Sequence, residues 1–141
     1  MLFRSLREIW FGFGIDRLLI RVDTEGGPAS ERLAEVDRLR IGLVDPADWE
    51  IVVIEPSAPR PRGIVGRSGE LGADGARAEV ACGKIFELAV PFDALRLNPG
   101  DAIRFYVELL KNDTSLDRAP PEGIFELTVP TPDFERIMWQ V

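Results

Sequence analysis

Ala102-Ile103-Arg104-Phe105-Tyr106-Val107-Glu108-Leu109-Leu110 decides the fold class. Ile103, Phe105, Val107 and Leu109 fall on one side, and Arg104, Tyr106 and Glu108 fall on the other. A helix would bring its apolar residues round every three to four positions. A period of two marks a strand with one face buried and one face wet.

The pattern recurs on both sides of this stretch. Asn98-Pro99-Gly100-Asp101 just before it matches a type II turn, with Pro second and Gly at the place that needs positive φ. Before that turn, Phe86, Leu88 and Val90 alternate within Lys84 to Val90, and Pro91 to Leu95 allows one short helical turn. Further towards the N-terminus, Trp49-Glu50-Ile51-Val52-Val53-Ile54 is apolar on both faces, as a strand covered on both sides would be. Leu39, Ile41 and Leu43 alternate from Asp37 to Val44. Ser30 and Glu31 suit the start of a short helical turn ending at Leu33. Leu18, Ile20 and Val22 alternate from Arg17 to Asp23, and Ile9, Phe11 and Phe13 alternate from Arg7 to Phe13. Gly14 to Asp16 joins these last two segments as a hairpin.

After Leu110, Lys111-Asn112-Asp113 opens a polar connection that closes at Pro120-Pro121-Glu122-Gly123. Phe125, Leu127 and Val129 then share one strand face, and Glu135, Ile137, Trp139 and Val141 share the face of a last strand. Residues 55–81 read as a Pro/Gly-rich loop excursion with at most a short strand at Gly63 to Arg67, before strand chemistry returns at Arg77. Proline there argues against a place inside a sheet. About nine short strands separated by turn signals predict one all-β domain over 1–141, a two-sheet antiparallel sandwich of jelly-roll type, with a barrel as the other architecture the pattern allows.

Composition narrows the chemistry. The chain has 141 residues, enough for one independent core. Its net charge is −7, and Lys84 and Lys111 are its two lysines. That field repels a phosphate backbone, so nucleic acid and polybasic membrane attachment are not expected. The N-terminus carries Arg4, Arg7 and Glu8 before any long apolar run, which is not a secretory signal and predicts a cytoplasmic location. The absence of histidine removes Ser-His-Asp and Cys-His catalysis and histidine-ligated metal or haem. Cys82 stands alone without a base to activate it and reads as a small core residue.

Two stretches carry a family resemblance. Lys84-Ile-Phe-Glu-Leu-Ala-Val-Pro-Phe-Asp-Ala-Leu-Arg-Leu-Asn-Pro-Gly-Asp101 resembles the strand-turn-strand signature of DOMON-like sandwiches. The run from Arg118 to Gly123, with Val129-Pro130 and Asp133 to Trp139, is similar to the C-terminal β-sandwich domains of family-57 glycoside hydrolases and glucodextranase-type enzymes. Phe11 to Asp23 resembles the opening hairpin of that group. The resemblance implies a non-catalytic accessory domain that packs on a glycoside hydrolase catalytic domain, binds α-glucan, or does both. It also implies that the family domain begins before Phe3, so that this chain is the tail of a longer protein. A first strand lost in that way leaves an open sheet edge, which a partner or a second copy can cover. Haem-binding members of the wider superfamily use Met and His ligands, and no cofactor is expected here because histidine is lacking.

Sugar recognition needs an aromatic face for the C–H side of a pyranose and planar charged groups for its hydroxyls. Trp10, Trp49, Tyr106, Arg21, Arg104 and Glu108 supply these groups and are expected on one sheet face. The related family-9 carbohydrate-binding modules hold sugar between two tryptophans, which suggests a Trp10/Trp49 clamp. The competing assignment makes the tryptophans packing residues and the Arg/Glu set a solvated ladder. Asp45, Asp48, Asp113 and Asp117 are possible calcium ligands or ordinary turn residues. No pair among the 24 acidic residues is marked as catalytic. A structural sandwich that mediates protein assembly is the alternative function.

Overall fold

Every alternating segment within residues 6–67 and 76–131, the residues described by the computed structural model, is a strand. The strands are β1 (Leu6–Phe13), β2 (Arg17–Thr24), β3 (Arg38–Asp45), β4 (Trp49–Ile54), β5 (Arg62–Arg67), β6 (Ala76–Cys82), β7 (Phe86–Pro91), β8 (Ala102–Lys111), β9 (Thr114–Ala119) and β10 (Phe125–Thr128). One helical turn, α1 (Ala29–Arg32), joins β2 to β3. The predicted last strand of Glu135, Ile137, Trp139 and Val141 lies outside the described residues.

The ten strands form one antiparallel sheet in the order β1-β2-β7-β6-β5-β4-β3-β8-β10, with β9 also on β8. β8 divides its outer edge: its first half pairs with β10 and its second half with β9. β6 divides its ladder too. Ala76 to Ala78 pair with β5, and Glu79 to Cys82 pair with β7. The sheet curls at this strand. Gly63 allows the approach there, because a Cβ on it would lie 2.9 Å from Val80 Cγ2 and 3.0 Å from the Ala78 carbonyl oxygen.

The curl brings the two ends of the sheet together. The Leu6 N–H donates to Asp117 on β9 at 2.9 Å. The Phe11 ring lies 5.7 Å from both Phe105 and Phe125. The concave interior is filled by the predicted in-facing residues: Leu18, Ile20 and Val22, Leu39 and Ile41, Ile51 and Val53, Phe86 and Val90, and Ile103 to Leu109 at alternate positions. Phe86 and Phe105 are fully buried. α1 plugs one end of the half-barrel. Its Ala29 and Ser30 N–H groups donate to the Lys84 and Gly83 carbonyls, and Leu33 just beyond it is buried. Gly100 takes the predicted positive φ in the Asn98–Asp101 turn, and the Asp101 N–H closes that turn on the Asn98 carbonyl.

Two sequence expectations are corrected. Within the Pro/Gly-rich stretch of residues 55–81, the short strand read at Gly63 to Arg67 is β5, but it is an interior strand paired along its whole length with β4 rather than one kept out of the sheet. Pro56, Pro59 and Pro61 all precede Arg62, so none of them removes a donor from the ladder. The polar stretch after Lys111 is likewise not a plain connection. Asn112 and Asp113 both have positive φ and form a two-residue hairpin that launches β9. Among the described residues no helix is long and apolar enough to cross a membrane.

Candidate functional site

The outward residues of the curled sheet form two faces with opposite character. The first covers β4, β3, β8 and β9. Register sets Glu50 beside Gly42 and Gly42 beside Tyr106, with Arg40 opposite Glu108 one step along. Arg40 donates to Glu50 at 2.6 Å and to the Tyr106 hydroxyl at 2.5 Å, and its guanidinium lies 3.8 Å from Glu108. Burial of the Arg40 guanidinium works against its charge, but hydrogen bonds to Glu50 and Tyr106 outweigh it and raise its pKa above the ordinary arginine value. Tyr106 lies flat over Gly42, where a Cβ would overlap the ring. The Arg118 guanidinium stacks over the Tyr106 ring, 4.5 Å from its centroid, and donates to the Pro120 and Gly123 carbonyls. Arg104 is tied to Asp45 and Glu126. Glu50 is only 8% exposed. The groups on this face are already satisfied by one another.

The second face covers β1, β2, β7 and β6. Trp10 pairs with Arg21, Arg21 with Glu87, and Glu87 with Ala81, which makes one cross-strand row. Gly12, Leu19, Ala89 and Glu79 make the next row. Gly12 and Ala89 in the second row leave space beside Trp10, Arg21 and Glu87 in the first, and a groove of about 620 Å³ lies there. That volume is within the range of small-molecule sites. The Trp10 indole is 58% exposed and donates through Nε1 to Glu8 at 3.1 Å. Arg21 is held by Asp23 at 2.8 Å, a hydrogen bond that raises its pKa. Arg17 reaches Glu79 at 3.0 Å. The face therefore offers an apolar floor, an exposed indole, and carboxylates and guanidiniums along its rim.

Comparison of the chain with protein-family models, curated proteins and solved structures finds no match.

The six residues expected on one face divide into three places. Trp10 and Arg21 line the groove. Tyr106, Arg104 and Glu108 belong to the polar face. Trp49 packs against the core rim, with the Arg67 and Arg96 guanidiniums each 5.8 Å from its ring. Trp10 and Trp49 are not brought together as a clamp. β1 and β4 are five steps apart in the sheet, and Trp49 sits on the interior side of β4 with Ile51 and Val53. Alternation from Glu87 and from Arg21 would have found the groove wall. Gly12, Leu19 and Ala89 carry no chemical signal in sequence, and only register assembles them with Glu79.

Among the described residues no group of three or more Cys, Asp or Glu side chains is arranged to hold a metal ion. The candidate calcium ligands have other roles. Asp45 pairs with Arg104, Asp113 pairs with Arg38, Asp117 accepts from the Leu6 and Arg118 N–H groups, and Asp48 takes positive φ in the turn before β4. Cys82 is half-buried on the interior side of β6, and burial pushes its thiol pKa up, so its thiolate is scarce at neutral pH.

Proposed function

We propose that the chain is a non-catalytic, carbohydrate-associated accessory domain of a glycoside hydrolase, and that the groove on β1-β2-β7-β6 is its sugar-binding face. The observation that carries this reading is the exposed Trp10 indole at one end of an apolar-floored groove whose rim holds Arg21, Glu79 and Glu87. An indole face takes the C–H side of a pyranose, and charged planar groups take its hydroxyls. The resemblance to family-57-associated domains supports α-glucan as the ligand. The divided ladder of β6 supports treating the curled sheet as a two-sheet, jelly-roll-like DOMON sandwich with β6 as its corner. Titration of the purified chain with maltooligosaccharides, followed by tryptophan fluorescence, tests the proposal. A saturable change that disappears in Trp10→Ala is expected, and silence at millimolar sugar overturns it.

One observation favours the second reading, a structural domain that mediates assembly. Phe11 is 40% exposed at the seam, Ile124 is exposed nearby in sequence to Phe125, and β1 has an edge that is not paired along its length among the described residues. Sedimentation velocity separates the two readings. A concentration-dependent dimer with no sugar response supports assembly.

A further inference from the structure

Gly12 has no structural reason to be glycine. Its backbone is outside the left-handed region, and a Cβ on it would meet nothing within 4 Å. Glycine weakens a strand, so a strand position that could hold a side chain but does not calls for another explanation. The explanation lies in its place, on the groove floor beside Leu19 and two residues from Trp10.

The direction of the groove is equally informative. It is lined by three consecutive residues from each of four adjacent strands, so it crosses the strands at right angles. Three interstrand gaps give it a length of roughly 14 Å. Among the described residues no paired strand walls off either end: the outer edge of β1 meets β9 and β10 across the seam without a ladder, and the Glu79–Cys82 half of β6 pairs with β7 alone. A trough that no paired strand walls off at its ends admits a chain passing through it, whereas a site for chain ends is blocked at one side. Charge narrows the occupant further. Glu8, Glu79 and Glu87 outnumber Arg17 and Arg21, and both guanidiniums are already engaged by carboxylates. An anionic chain is repelled here, while hydroxyls find acceptors along the rim.

Resting on the carbohydrate reading above, we propose that the groove holds an internal stretch of a linear, uncharged polysaccharide laid across the four strands, with Gly12 as the opening that lets a sugar ring settle beside Trp10. A single ring covers only part of such a trough, and a chain of several rings fills it.

The test is a calorimetric titration of the full chain with the series from glucose to maltoheptaose, with oligogalacturonates as the anionic control. Affinity is expected to rise at least about tenfold from maltose to maltohexaose and then level off, with oligogalacturonates much weaker. Gly12→Val is expected to keep or raise the thermal midpoint and to weaken maltohexaose at least about tenfold. Ala89→Val, which narrows the same floor from β7, is the second variant if Gly12→Val fails to fold. Equal affinity for maltose and maltohexaose, undiminished binding by the folded floor variant, or preference for oligogalacturonates overturns this inference and leaves the carbohydrate reading standing. Silence of the unaltered chain at every length overturns both.

Discussion

Gly42 and Gly12 occupy outward positions in the two outer regions of the curled sheet, and they are glycine for opposite reasons. At Gly42 the space is taken: Tyr106 lies on it, Arg118 lies on Tyr106, and Arg40 joins the tyrosine hydroxyl to Glu50. At Gly12 the space is empty, and the neighbouring Trp10 and Leu19 are exposed. Polar residues on an outer face therefore do not by themselves indicate a binding site. The face richer in charged and aromatic residues is the one that has closed on itself, and the face with the plainer sequence has kept a groove.

This contrast can be broken by substitution. The largest effect is expected at Glu50. Glu50→Ala strands Arg40 beneath Tyr106; because Arg40 keeps a quarter of its surface in water, the loss should be about 2–3 kcal/mol, below the range for fully buried pairs. Urea unfolding measures it, and a change under half a kcal/mol would show that the network adds little. Gly42→Ala should come next, costing about 1–3 kcal/mol because the added methyl displaces the Tyr106 ring. Trp10→Ala, on the other face, should change stability by no more than about 0.5 kcal/mol. If it destabilises as much as Gly42→Ala, Trp10 is a packing residue and the contrast between the faces fails.

The smallest effect concerns pH. The folded-state pKa of Cys82 is raised by burial, so the unfolded chain ionises first. Its contribution to stability is complete below about pH 8.5 and declines as pH rises through the unfolded value towards the folded one. A Cys82→Ser chain should lack this alkaline decline in its urea midpoint, and alkylation of the native thiol should be slower than that of a free thiol at pH 8.

Most strands were legible because their inward residues are large and strictly alternating, as in Ile103, Phe105, Val107 and Leu109. β9 was not. Its one large apolar residue, Leu116, gives no period, and its only local signal is the Asn112-Asp113 pair, which tolerates positive φ. β5 was legible as a short strand but not as an interior one, because the density of Pro and Gly around it outweighed Ile64 and Val65. Of the groove, Trp10 and Arg21 could be read from the strand that carries each. Trp49 could not be placed, because it begins its strand and its side is set by the pairing with Arg67. Which strands lie next to one another is long-range information, so neither face could be assembled from the sequence alone.

The shared ladder of β6 bears on how the chain reaches this state. β2 waits for β7 and β3 waits for β8, partners distant in sequence, and among the described residues only β6 links the two sets into one sheet by ladder pairing. Loop closure must precede any reward from these pairings, which places refolding on the slow, millisecond-to-second side of small domains. Neither half can finish its hydrogen bonding alone, so a nascent chain that has not yet supplied β6 to β8 exposes two unfinished sheets.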